Sequence, residues 1–225
     1  MNLTYRNKFG PLHIRIARRI GGSLGRAAYR TLLLFPAFRF LKAYEGKQGP
    51  ITLPIWFMQK VVGFNRSAYW GVHFTSKVTQ PKQIIVGRNT NPGIEPGCYI
   101  QGIGTVIIGD YVEIAANTSI ISANHDLYDL DRHLHGRVEI GSNCWIGANC
   151  VILPDVTLGD FTVVAAGSIV TKPFLEGHCV IAGNPARKIR DLDPERCQPR
   201  SEPEPYVGYM PAASFPAYRE DHLWA

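Results

Sequence analysis

Residues 124–137 form a polar run that holds His125, His133 and His135, three of the chain's seven histidines, with Asp126, Asp129, Asp131 and Arg132 between them. Imidazole is the side chain whose proton affinity lies nearest neutral pH, so a histidine fixed in such a run can take a proton from a hydroxyl. Several histidines with carboxylates can instead hold a metal. The spacing of His125, His133, His135, Asp129 and Asp131 matches no structural zinc pattern, and no metal is expected. A third reading leaves His125 a loop histidine bonded to its neighbours, with Asp126 either orienting it or capping a turn of its own backbone. The five cysteines, Cys98, Cys144, Cys150, Cys179 and Cys197, contain no C-x-x-C pair. They read as reduced thiols that mostly fill core positions.

The run interrupts a regular pattern. Aliphatic residues recur every six positions at Ile140, Ile146, Ile152, Leu158, Val164 and Val170, and upstream at Ile108, Ile114 and Ile120. A small or β-branched set follows four residues on, at Cys144, Cys150, Val156, Thr162 and Ser168. A period of six fits neither an α-helix nor a single strand. It fits a β-solenoid, whose short strands are joined by tight turns and whose coils stack. Gly, Asn and Asp are expected at the corners, where positive φ is often needed. A stacked coil tolerates an insertion only as a loop thrown out from a corner, and such loops on rigid scaffolds commonly carry chemistry.

The stretch "IGSNCWIGANCVILPDVTLGDFTVVAAGSIVTK", the "SANHD" before it and the "GNPAR" after it resemble the hexapeptide-repeat acyltransferases. The likeness is to the branch of maltose, galactoside and polysaccharide O-acetyltransferases. It implies a mainly β fold, a left-handed parallel β-helix over residues 76–190 with the loop 124–137, assembled as a homotrimer. It implies an acetyl-CoA-dependent O-acetyltransferase with His125 as general base. The backbone N–H of Ala148 would face the oxyanion, and Ala166 the pantetheine arm of the donor. Thr171, Lys172, Arg187 and Arg190 match positions that hold coenzyme A, whose phosphates call for Lys and Arg. On the acceptor side the matching residues are Gln101, Asp126 and Trp145, the last an outward indole walling the groove. The implied acceptor is a sugar or lipid-linked saccharide, a precursor of a bacterial surface polysaccharide. N-acetylation of an amino sugar is the alternative on the same scaffold. A zinc-dependent carbonic-anhydrase-like solenoid, or a non-catalytic one, is the alternative of another class.

The flanks differ in character. Residues 1–66 hold twelve Lys and Arg against one acid, Glu45, a charge of +11 that leaves −5 for the rest of the chain. Arg15, Arg18, Arg19, Arg26 and Arg30 share one helical face and Ile16, Ile20, Leu24 and Leu34 another, so residues 1–75 are expected to be partly helical. Such a segment caps the solenoid or lies on an anionic membrane. Pro36 should kink or end the helix, and residues 53–62 read as a second amphipathic piece. Residues 191–225 hold six prolines with aromatic residues between them, and an extended tail packed on the solenoid or on a neighbouring subunit is expected. No secretory signal is visible, and the apolar run 31–38 is far too short to span a bilayer. A cytoplasmic protein, peripheral on the inner face of the membrane at most, is expected, with no nucleic-acid partner.

Overall fold

The computed structural model describes residues 24–200 and 203–225. The chain divides into two compact units, one ending at Lys42 and one running from Ala43 to Ala225. In the first, helix α1 (Leu24–Leu34) stops two residues before Pro36, which opens a 3-10 turn, Pro36–Phe38, ahead of α2 (Arg39–Ala43). Proline disfavours helical geometry in the residue before it, which ends α1 there. Arg15, Arg18, Arg19, Ile16 and Ile20, the start of the expected basic helix, lie outside the described residues.

The second unit is mainly β. Its strands are β1 (Lys77–Thr79), β2 (Ile84–Val86), β3 (Tyr99–Gln101), β4 (Thr105–Ile108), β5 (Glu113–Ile114), β6 (Ser119–Ile121), β7 (Ala123–His125), β8 (His133–His135), β9 (Arg137–Ile140), β10 (Trp145–Ile146), β11 (Val151–Ile152), β12 (Thr157–Leu158), β13 (Thr162–Val164), β14 (Ile169–Val170), β15 (Cys179–Gly183) and β16 (Ala186–Asp191). Three sheets hold nearly all of them: β1-β3-β6-β11-β14, then β12-β9-β4-β2, then β16-β15-β13-β10-β5. From β3 onward the chain visits these sheets in that order again and again. Among these sixteen strands every pairing is parallel except β15 with β16 and the separate hairpin of β7 with β8.

Register gives the coil length. Val151 faces Ile169, Thr157 faces Glu139 and Trp145 faces Val163, each 18 residues apart. One coil is therefore three six-residue repeats. Where the polar run intervenes the return lengthens to 32 residues, as between Ser119 and Val151 or Glu113 and Trp145. The extra length leaves as the hairpin β7–β8 between the first and second sheets. Both six-residue sets point inward: Ile140, Ile146, Ile152, Leu158, Val164, Val170, Cys144, Cys150, Val156, Thr162 and Ser168 are all at most 2% exposed.

The corners divide their labour more finely than the pattern suggested. Positive φ recurs every six residues at Asn143, Asn149, Asp155, Phe161 and Gly167, mostly Asn, Asp or Gly, which reach this region most easily. Gly147 serves a different need: a Cβ there would lie 2.6 Å from the backbone N of Ala166 in the next coil.

A short helix, α3 (Leu53–Trp56), is capped by Thr52, whose Oγ1 accepts from the Ile55 N–H. It widens into a π-turn, Phe57–Val62, and ends at Gly63 with φ +111°. Gln59, fully buried on this turn, donates to the carbonyls of Ala68 (3.3 Å) and Trp70 (2.9 Å) and accepts from Val72 N–H (3.0 Å) and the Tyr209 hydroxyl (2.7 Å). Gln59→Ala strands several buried polar groups at once, so it is expected to cost about 3–5 kcal/mol. Urea unfolding measures this; a loss below about 1 kcal/mol would mean that water replaces the amide.

The tail departs from the extended form expected for it. It packs against the first coils, and β17 (Tyr206–Val207) and β18 (Met210–Pro211) form a hairpin while Phe215–His222 is a helix, α4. Proline count misled because Pro216 sits in the first turn of α4, where its missing N–H is not needed. Phe215 and Tyr218 each lie 5.5 Å, ring centre to ring centre, from Tyr69. Tyr209 N–H donates to Tyr69 O and Trp224 N–H to Lys82 O, which returns the chain end to the first coils.

Candidate active site

The hairpin β7–β8 sets His125 opposite His133, with their rings 4.4 Å apart, both exposed. His125 Nδ1 lies 2.6 Å from the carbonyl oxygen of Leu130. A carbonyl only accepts, so Nδ1 carries the hydrogen of this bond and Nε2 of the neutral ring keeps a lone pair. Asp126 does not face His125 in any hydrogen bond. Its Oδ1 accepts from Tyr128 N–H at 2.8 Å and its Oδ2 lies 3.7 Å from Arg132 Nη1. The carboxylate thus shapes the turn of the hairpin.

Gln101 fixes the root of this loop. Its Oε1 accepts from Ser122 N–H (3.2 Å) and Ala123 N–H (2.9 Å), and its carbonyl accepts from Ser122 Oγ (2.5 Å). These bonds hold the strand that leads into His125. The same row of turns, between the first and second sheets, holds Thr171 and Lys172 one coil beyond Leu153, whose N–H donates to Val170 O. Lys172 Nζ stands 5.7 Å from the centre of the Phe174 ring.

Trp145, Ala148 and Ala166 belong elsewhere. Trp145 is 55% exposed on β10 in the third sheet. Ala148 and Ala166 lie in the row of turns between the third and first sheets, linked by Gly167 N–H donating to Ala148 O. The Ala148 N–H has no acceptor among the described residues. Arg187 and Arg190, both exposed, are on β16 at the outer edge of the third sheet. One chain therefore gathers Gln101, His125, Asp126, Thr171 and Lys172 along one row of turns. It sets Trp145, Ala148, Ala166, Arg187 and Arg190 on another sheet and its following turns.

Beside Trp145 lies a cleft of about 270 Å³ lined by Gln48, Asn89, Asn91, Glu95 and Glu113 among others. Asn89 Oδ1 is buried without a hydrogen-bond partner among the described residues. Glu113 pairs with Arg200 of the tail at 2.6 Å. Sequence reading missed these residues. The available signal was register, since Glu113 lies one lengthened coil before Trp145.

The four buried cysteines are not poised as nucleophiles. All five are free thiols, four of them buried. Burial pushes Cys98, Cys150 and Cys179 up and Cys144 up to about 12, which depletes the reactive thiolate near neutral pH. Among the described residues no group of three or more His, Cys, Asp and Glu is placed to hold a metal.

Residues 137–172 match the bacterial transferase hexapeptide family, a model of six repeats. Residues 137–172 thus carry hexapeptide repeats of this kind. The galactoside O-acetyltransferase of Escherichia coli K12 is 42% identical over 94 residues, which are 40% of this chain and 45% of that one. The chain matches about half the length of such curated relatives. A hexapeptide-repeat acetyltransferase of Vibrio cholerae, solved with acetyl coenzyme A, aligns over 77% of this chain and 92% of its own at 26% identity, with a TM-score of 0.50. A galactoside acetyltransferase solved with coenzyme A aligns over 87% of this chain and 98% of its own at 24% identity, with a TM-score of 0.54, a likeness of fold. Three such hexapeptide repeats make each 18-residue coil described above.

Proposed function

We propose that the protein is an acetyl-CoA-dependent O-acetyltransferase that acts on a sugar hydroxyl, with a left-handed β-helix as its scaffold. The observation that carries this is the His125 ring, held through Nδ1 by Leu130 O with Nε2 left as an acceptor, at the one long insertion among the hexapeptide coils. Nε2 takes the proton of the acceptor hydroxyl as its oxygen attacks the thioester carbonyl. The new C–O bond forms, the C–S bond breaks, and the imidazolium returns the proton to the departing thiolate. The Ala148 N–H, with no acceptor among the described residues, would donate to the oxyanion, where such a donor contributes most. The acceptor is read as a precursor of a bacterial surface polysaccharide, handled in the cytoplasm.

Two rows of site residues on separate parts of one chain favour sites shared between chains, in a homotrimer. The hairpin supports this as well. Leu127, Tyr128 and Leu130 on it are 87%, 100% and 70% exposed, apolar surface that a neighbouring chain would cover. The +11 charge of residues 1–66 supports a peripheral contact with anionic membrane.

Lys172, Arg187 and Arg190 would hold donor phosphates away from the reacting carbonyl. Lys172→Ala, Arg187→Ala and Arg190→Ala should each raise KM for acetyl-CoA more than they lower kcat, because such contacts act alike in ground and transition states. Steady-state kinetics with desulfo-CoA binding as a control measures this. Unchanged desulfo-CoA affinity in all three variants would remove them from the donor site.

A further inference from the structure

The turn Phe57–Val62 is anchored on one side and open on the other. Gln59 is its buried anchor. Residues two apart on a helix lie on nearly opposite sides, so Phe57 and Val61 face away from the body. Phe57 is 49% exposed, Val61 48%, Val62 51%, and Leu53, one turn before, 38%. At Gly63 the chain turns back, and Phe64, 45% exposed, meets the exposed ring of Phe74 at 6.2 Å. The result is a projecting apolar surface that runs from Leu53 to Phe74.

Its charge surroundings select the partner. Between Glu45 and Glu95 the sequence has no acid, while Lys47, Lys60, Arg66, Lys77, Lys82 and Arg88 fall in the same stretch. Lys60 is turned inward: its Nζ donates to Arg66 O and Ala68 O and stands over the Tyr209 ring, and burial pushes it down to about 8. Arg66 and Lys77 are exposed. Glu95 lies near His73, whose ring packs on Phe74, but Arg66 and Lys77 stand exposed beside the apolar side chains, and such a surface suits a partner that is apolar within and anionic at its face.

We infer that the surface from Leu53 to Phe74 inserts its apolar side chains into the interface of an anionic lipid leaflet. This rests on the membrane contact proposed above but uses a different surface from the basic N-terminus, and it is independent of the acetyl-transfer chemistry. Apolar insertion and charge attraction respond differently to salt, because only the second is screened.

Co-sedimentation of the full chain with phosphatidylglycerol–phosphatidylcholine vesicles, and with phosphatidylcholine alone, tests it. The expected result is binding at least ~10-fold stronger to the anionic vesicles, with a clear fraction retained at about 0.5 M salt. The triple variant Phe57→Ser, Val61→Ser, Phe64→Ser should lose the salt-resistant fraction. Its thermal melt and its mass by light scattering should match wild type. A second variant, Phe64→Ser alone, should lose part of that fraction. The variant with Arg15, Arg19, Arg26 and Arg30 replaced by Glu should lose the salt-sensitive part only. Salt-resistant binding unchanged in both serine variants would overturn the inference and leave the charge contact standing. Wild type remaining in the supernatant at low salt would overturn both, and a fall in mass in a serine variant would show a subunit interface instead.

Discussion

His125→Ala is expected to lower turnover by roughly 10²–10⁴, the usual contribution of a general base, while CoA binding and the fold persist. The fold should persist because His125 is exposed and the hairpin is pinned at its root by Gln101 rather than by the imidazole. His125→Asn separates two roles. Its amide can still donate to the Leu130 carbonyl, so the loop keeps that tie, but it cannot take a proton. Both variants should therefore be slow to a similar degree. An Asn variant near wild-type rate would assign His125 to loop structure and remove the mechanism. Release of CoA thiol, followed with a chromogenic disulfide, is the readout.

Activity regained from two inactive parents is the second expected result. His125 and Trp145 lie on different rows of one chain, so a site shared between neighbours takes one from each. His125→Ala and Trp145→Ala chains, each poorly active alone, should recover roughly a quarter of wild-type activity when co-expressed in equal amounts, because a quarter of the shared sites then have both intact residues. No recovery, with mixed oligomers shown by mass, would mean that each site is built within one chain.

Much of the scaffold was legible because a solenoid is locally encoded. Each coil needs only inward aliphatics at fixed spacing, and Ile140 to Val170 state that spacing openly. The loop was legible as the failure of the same rule after Ile120. What was hidden depends on contacts between distant segments. Gln101 looked like an acceptor ligand, yet its side-chain oxygen is engaged by two backbone N–H groups of Ser122 and Ala123, 21 and 22 residues away. Asp126 carried two readings that sequence could not separate, and the bond from Tyr128 N–H gives it a turn to shape. Gln59 reads as a polar residue on an amphipathic piece, whereas its amide joins the π-turn to the first coil and to Tyr209 in the tail. The cleft beside Trp145 needed the 32-residue return of the interrupted coil before Glu113 could be set next to the indole.

The donor is the part of this account that needs no knowledge of the acceptor. Calorimetric titration of acetyl-CoA into the purified full chain tests it directly. The expected result is saturable binding of one molecule per chain, with a dissociation constant in the range of about 1 μM to 1 mM typical for enzyme substrates, retained in His125→Ala. The absence of any saturable heat up to millimolar acetyl-CoA, from protein whose thermal melt shows it folded, would contradict the assignment of this chain as an acetyl-CoA-dependent transferase.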